Sequence, residues 1–140
     1  MSMLDKAMIV AREALKGIND QNGEPYINHS IRIMDKMDTE DEKVVALLHD
    51  VMEDSETTIH DLEYVGFGRE VLEAVEQLTK RKDMTYDEYI EDISCSDLAR
   101  KIKLAEIDDN LDVFRVNKMS FKTYSLEERA KRSKAVLERE

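Results

Sequence analysis

Val44-Val45-Ala46-Leu47-Leu48-His49-Asp50-Val51-Met52-Glu53-Asp54 is a stretch with two faces. At about 100° per residue on a helix, Val44, Leu47, Leu48, Val51 and Met52 fill one broad arc. His49, Asp50, Glu53 and Asp54 fall in the remaining arc, roughly 140° wide by the same spacing. A core-seeking helix thus carries four ionisable groups in one patch. Charge runs on helices are usually solvated faces. Here His49 and Asp50 follow an apolar run directly, where a surface helix would alternate earlier. Imidazole nitrogen and carboxylate oxygen are ligands of first-row metals. Three carboxylates beside one imidazole also repel one another unless a cation sits among them.

The sequence on either side is helical. Five candidate capping boxes pair a Ser/Thr with an acid three positions on: Ser2 with Asp5, Thr39 with Glu42, Thr58 with Asp61, Thr85 with Glu88 and Ser125 with Glu128. Helix-spaced apolar residues follow each. The spacing predicts helices over 3–16, 25–37, 41–54, 59–64, 70–78, 86–93 and 96–112, and a last one from Ser125 to the end. Pro25 suits a first helical turn. Residues 115–124 have no clear assignment. With 4 Gly and 1 Pro in 140 residues, a strand-rich fold lacks its turns. The expectation is one all-α domain over residues 1–140, a bundle of about seven to eight helices.

The net charge of −11 repels nucleic acid and anionic membrane, so neither is an expected partner. An acidic protein that handles phosphates needs a cation. The single cysteine, Cys95, allows no internal disulfide and reads as a half-buried small hydrophobe. No stretch approaches the length of a membrane span and the N-terminus lacks a signal-peptide pattern, which points to the cytoplasm. A homo-oligomer is compatible with the sequence. There are three histidines. His60 sits among acids without ligand spacing and reads as solvated. His29 is undecided on its own.

Five blocks stand in order along the chain: Gly23-Glu24-Pro25-Tyr26-Ile27-Asn28-His29; Ala46 to Asp54; Phe67-Gly68-Arg69-Glu70-Val71; Leu78-Thr79-Lys80; and Lys103-Leu104-Ala105-Glu106-Ile107-Asp108-Asp109-Asn110. In this order they resemble the HD hydrolase domain of the RelA/SpoT family. The resemblance implies an HD-domain helical bundle and a metal-dependent phosphohydrolase that acts on a phosphorylated nucleotide, similar to the enzymes that remove the 3′-pyrophosphate of (p)ppGpp. It implies one divalent ion, Mn2+ in many members, held by His29, His49, Asp50 and a later acid. Glu53 and Asp54 match the catalytic pair that handles the attacking water, and Asn110 matches a residue of the nucleotide pocket. Lys80 and Lys103 are candidate phosphate-binding cations, with Arg81, Lys82 and Arg115 nearby.

The departures are specific. The family's Leu-Ala-Asp-Arg-Leu-His-Asn motif is here Leu104-Ala105-Glu106-Ile107-Asp108-Asp109-Asn110. Glu106 stands at the metal-ligand position, and Asp109, one turn on, is the alternative. The basic pair before the glycine is replaced by polar and acidic residues, and Ser30 stands where a Pro usually follows the first His. The competing expectation is a non-catalytic HD-type module that binds metal or nucleotide without turnover. A purely structural helical protein leaves the five blocks unexplained.

Overall fold

The computed structural model describes residues 1–20, 22–116 and 121–139, with side chains described for all of these except 113–116 and 121–127. Nine helices are present among the described residues: α1 (Met3–Ala14), α2 (Ile27–Asp35), α3 (Glu40–Leu48), α4 (Val51–Asp54), α5 (Ile59–Val65), α6 (Arg69–Leu78), α7 (Tyr86–Ser94), α8 (Asp97–Val116) and α9 (Phe121–Glu138). None is long and apolar enough to cross a membrane.

Four of the five capping boxes form, at Ser2, Thr39, Thr58 and Thr85, each with both reciprocal hydrogen bonds. The fifth does not start a helix. Ser125 lies inside α9, which begins at Phe121. α9 packs along α7 and α8, and tertiary contact carries it past the local signal.

The core is built around α3. Val44, Val45, Ala46, Leu47 and Leu48 are all buried, because α1, α2, α6 and α8 pack on this one helix. Further core comes from the apolar stripes of α6, α7 and α8, such as Val75, Leu78, Ile93 and Ile102, and from Ala7, Ala11 and Ile33 of α1 and α2. An acidic surface thus encloses a conventional aliphatic interior.

Three local readings are corrected. First, 41–54 is not one helix: α3 ends at Leu48, and the single turn α4 begins at Val51. The Ala46 carbonyl, which in an unbroken helix accepts from the Asp50 N–H, instead lies 2.6 Å from His49 Nδ1. The side chain replaces the backbone donor and lets the helix break. This split is one reason the helix count exceeds the expected seven to eight. Second, Pro25 does not open α2. It pairs with Asn19 in an isolated bridge, and the turn between them is closed by Asp20 Oδ1, which accepts from the N–H groups of Asn22 and Glu24. Gly23 at φ +80° supplies the left-handed residue this turn needs. Third, Cys95 is exposed, not half-buried. It caps the C-terminus of α7, where the buried stripe has passed to Ile93 and Ser94.

Candidate metal centre

The break between α3 and α4 turns His49 and Asp50 inward together. His49 is completely buried. Its Nδ1 donates to the Ala46 carbonyl, so Nε2 is the nitrogen that faces the site. Nε2 lies 3.0 Å from Asp50 Oδ2 and 3.5 Å from Glu106 Oε2. From α2, His29 brings Nε2 to 3.9 Å from the same Asp50 oxygen. Its ring is set from behind: Nδ1 is 2.6 Å from Asp109 Oδ2 on α8. Arg32, one turn along α2, grips both Asp109 oxygens at 2.7 and 2.9 Å. Both oxygens of Asp109 are therefore engaged on the far side of His29.

One ligand atom each from His29, His49, Asp50 and Glu106 lies within 4.8 Å of the others, and all four residues are buried. A test of fit comes from the polar atoms. Nε2 of His29 and Nε2 of His49 are buried and have no hydrogen-bond partner. The 3.0 Å approach of His49 to Asp50 lacks the geometry of a bond. Buried polar atoms are rarely left so. Burial works against the His49 cation, but the charges of Asp50 and Glu106 outweigh it and push the pKa up to about 9. Burial likewise opposes the Asp50 carboxylate, yet His49, His29 and the Tyr26 hydroxyl hold it well below the usual range. The cluster calls for positive charge at its centre. Two imidazoles and two carboxylates around such a point form a donor set suited to a divalent metal ion.

The site opens into a cleft of about 330 Å3. Tyr26, Asp50 and Glu106 line it together with Glu53, Asp54, Lys80, Lys103 and Asn110. The candidates Asp50, Glu53, Asp54, Lys80, Lys103, Glu106 and Asn110 thus border this one space, while the buried His29 and His49 do not line it. Tyr26 donates to Asp50 Oδ2 at 2.8 Å, and burial holds its phenol protonated. Glu53 Oε1 accepts the Lys80 backbone N–H at 2.7 Å. Burial raises the pKa of Glu53, as it does that of Asp54, where Asp50 adds to it. Lys103 differs from a solvent-facing cation. It is buried, with Nζ 3.3 Å from Glu106 Oε1 and 5.1 Å from the centroid of the Tyr89 ring.

Other candidates lie elsewhere. His60 is exposed, as its sequence context suggested. Arg81 pairs with Asp83 at 3.1 Å on the surface. The Arg115 side chain lies outside the described residues. Sequence reasoning missed Arg129 of α9, which enters the cleft with its guanidinium stacked 4.2 Å over Tyr86. Nothing in the mixed-charge run of α9 marks it out. It also missed Arg32 and the role of Asp109, although an acid one turn after Glu106 was a visible signal.

Over 81 residues, or 55% of this chain, the sequence is 42% identical to the bifunctional (p)ppGpp synthase/hydrolase SpoT of Escherichia coli, of which it spans 11%. Over 109 residues it is 37% identical to the guanosine-3′,5′-bis(diphosphate) 3′-pyrophosphohydrolase MESH1 of Drosophila melanogaster, covering 70% of this chain and 60% of that protein. The fold matches a solved structure described as a metazoan ortholog of SpoT that hydrolyzes ppGpp, with a TM-score of 0.82 and 25% identity over 98% of this chain and 85% of that one. In sequence and in fold this chain is thus similar to (p)ppGpp 3′-pyrophosphohydrolases. No family profile matches it. The chain spans about a tenth of the SpoT protein and about three fifths of MESH1.

Proposed function

We propose that this protein is a cytoplasmic, Mn2+-dependent phosphohydrolase that removes the 3′-pyrophosphate of (p)ppGpp or a closely similar nucleotide. The observation that carries the reading is the convergence of His29, His49, Asp50 and Glu106 within 4.8 Å, with Asp50 and Glu106 lining a cleft that also holds Glu53 and Asp54. A module that only held a metal would not need that second acidic pair. Similarity to SpoT and MESH1 supports the substrate class.

His29, His49, Asp50 and Glu106 would hold the ion, which when bound supplies Lewis acidity at a phosphoryl oxygen and a more acidic water. Asp109 and Arg32 keep the His29 ring in the orientation that presents Nε2. Glu53 is the base. Its Oε1 is occupied by the Lys80 N–H, so Oε2 is the oxygen that takes the proton from the attacking water. Its raised pKa suits that role, and Asp54 beside it orients the same water. The water oxygen bonds to the phosphorus nearer the ribose, the bond from that phosphorus to the 3′-oxygen breaks, and the 3′-oxygen leaves with the proton that Glu53 took from the water. Lys80 and Arg129, both lining the cleft, bind phosphate oxygens, Asn110 bonds the nucleoside, and the buried Lys103 adds positive field.

The test is release of pyrophosphate and phosphate from a nucleotide panel that includes ppGpp, with and without Mn2+. Mn2+-dependent pyrophosphate release from ppGpp is expected. Metal uptake with no turnover of any nucleotide would overturn the reading in favour of a binding module.

A further inference from the structure

A lysine ammonium is costly to bury unless it is paired. Lys103, 6% exposed, is buried beside the metal-site carboxylate of Glu106. The two residues lie three apart on α8 and share a face. Lys103 Nζ lies 3.3 Å from Glu106 Oε1, and Glu106 Oε2 faces the site at 3.5 Å from His49 Nε2. The two carboxylate oxygens thus have separate tasks. Lys103 is in turn held from behind by the ring of Tyr89. That ring is fixed, because its hydroxyl donates to the Leu78 carbonyl at 2.6 Å.

We propose that Lys103 is a positioning residue that reserves Glu106 Oε1, so that Glu106 offers a bound ion one oxygen and not two. The inference rests on the metal reading above. Its consequence is chemical. A carboxylate that chelates fills two coordination positions, whereas catalysis at a metal requires a position left for water or substrate. Glutamate, with its longer side chain, has the freedom to swing both oxygens onto an ion, and the Lys103 contact removes that freedom.

The charge and the geometry of Lys103 act in the same direction on metal affinity, but only the geometry changes the number of positions left for water, which makes the role measurable. A cation near a dication repels it, so loss of Lys103 relieves repulsion. Freeing the second oxygen also strengthens the grip on the ion. The variant Lys103→Met should therefore bind Mn2+ at least as tightly as wild type by calorimetry, while its water-proton relaxivity per bound Mn2+ falls by the share of about one exchangeable water position. A role in folding alone, or in substrate binding alone, leaves that relaxivity unchanged. Wild-type relaxivity in a Lys103→Met protein with a cooperative melting curve would overturn the inference. Independently of any variant, a crystal structure of the Mn2+-loaded wild type should keep Lys103 on Oε1 and a single Glu106 oxygen on the ion. Two Glu106 oxygens on the ion would overturn this inference alone. Failure of the wild type to take up Mn2+ would overturn the metal reading itself.

Discussion

His29 Nδ1 and Asp109 Oδ2 lie 2.6 Å apart, and this contact decides which nitrogen of the ring faces the metal centre. Burial opposes the Asp109 carboxylate, but His29 and Arg32 hold its pKa well below the usual range, so it stays charged at any working pH. Carboxylates that orient a ligating histidine typically contribute a factor of about 10–100 to metal affinity. Asp109→Asn should weaken Mn2+ binding by about that much in a calorimetric titration. Glu106→Ala should weaken it further, since it removes a donor atom. Equal losses in the two variants, or a deeper loss in Asp109→Asn, would make Asp109 the ligand.

The unpartnered Nε2 atoms of His29 and His49 imply a stability cost that a cation relieves. A ligand that binds only the folded state, present at 100 times its Kd, stabilises by about 2.7 kcal/mol. Saturating Mn2+ should raise the melting temperature by several degrees, and a chelator should reverse the rise. His49→Ala should melt at the same temperature with and without Mn2+. A metal-independent melting curve in the wild type would count against the site.

Much of this was legible in the sequence because local rules and tertiary structure agree there. The capping boxes at Ser2, Thr39, Thr58 and Thr85 give helix starts from short-range chemistry alone. The apolar arc of 44–52 places α3 in the core, and the opposite arc places His49 and Asp50 together. What was not legible depends on contacts distant in sequence. The bond from His49 to the Ala46 carbonyl breaks a helix that periodicity alone continues. Arg129 reaches the cleft only because α9 packs back over α7 and α8. Asp109 and Glu106 share a face of α8, and contacts from distant elements separate them: Asp109 meets His29 Nδ1 and Arg32 of α2, whereas Glu106 meets His49.

Glu42 links the cap of α3 to α8. Its Oε1 accepts from the N–H groups of Asp38 and Thr39, and Lys101 Nζ lies 3.0 Å away. Burial works against its charge, but these contacts hold its pKa below the ordinary glutamate range. A group with a lowered folded pKa contributes stability above its unfolded pKa and loses it as pH falls through the folded one. Glu42→Gln should therefore melt a few degrees below wild type at pH 7, a cap being worth about 1 kcal/mol. The gap should close on acidification below the ordinary glutamate pKa. A gap that stays constant down to strongly acidic pH would show that the charge of Glu42 is not what matters.

Arg129 stands 4.2 Å over Tyr86 with its guanidinium at the cleft. It touches none of the four metal-site residues in the contacts described. Arg129→Ala should raise KM for an anionic nucleotide roughly tenfold, the equivalent of about 1.4 kcal/mol. Mn2+ affinity should stay at the wild-type value. An unchanged KM would return Arg129 to the role of a surface stack on Tyr86.

Glu53 gives the sharpest division between binding and chemistry. It belongs to α4, the turn released when the helix breaks at His49 and Asp50, and it lines the cleft without joining the four-residue ligand group. The Lys80 N–H occupies Oε1 and leaves Oε2 without that bond, on a residue that lines the cleft. Glutamine has the same shape and can still accept the Lys80 N–H through its amide oxygen, so Glu53→Gln should fold as the wild type does. It cannot accept a proton from water. Mn2+ affinity should therefore be unchanged, while turnover falls by a factor on the order of 100 or more, the usual contribution of a positioned base. A parallel loss of metal would mean that Glu53 holds the ion. Wild-type turnover with intact metal would leave the Lys80 contact as its whole function and move the base to Asp54, the other acid of the same turn.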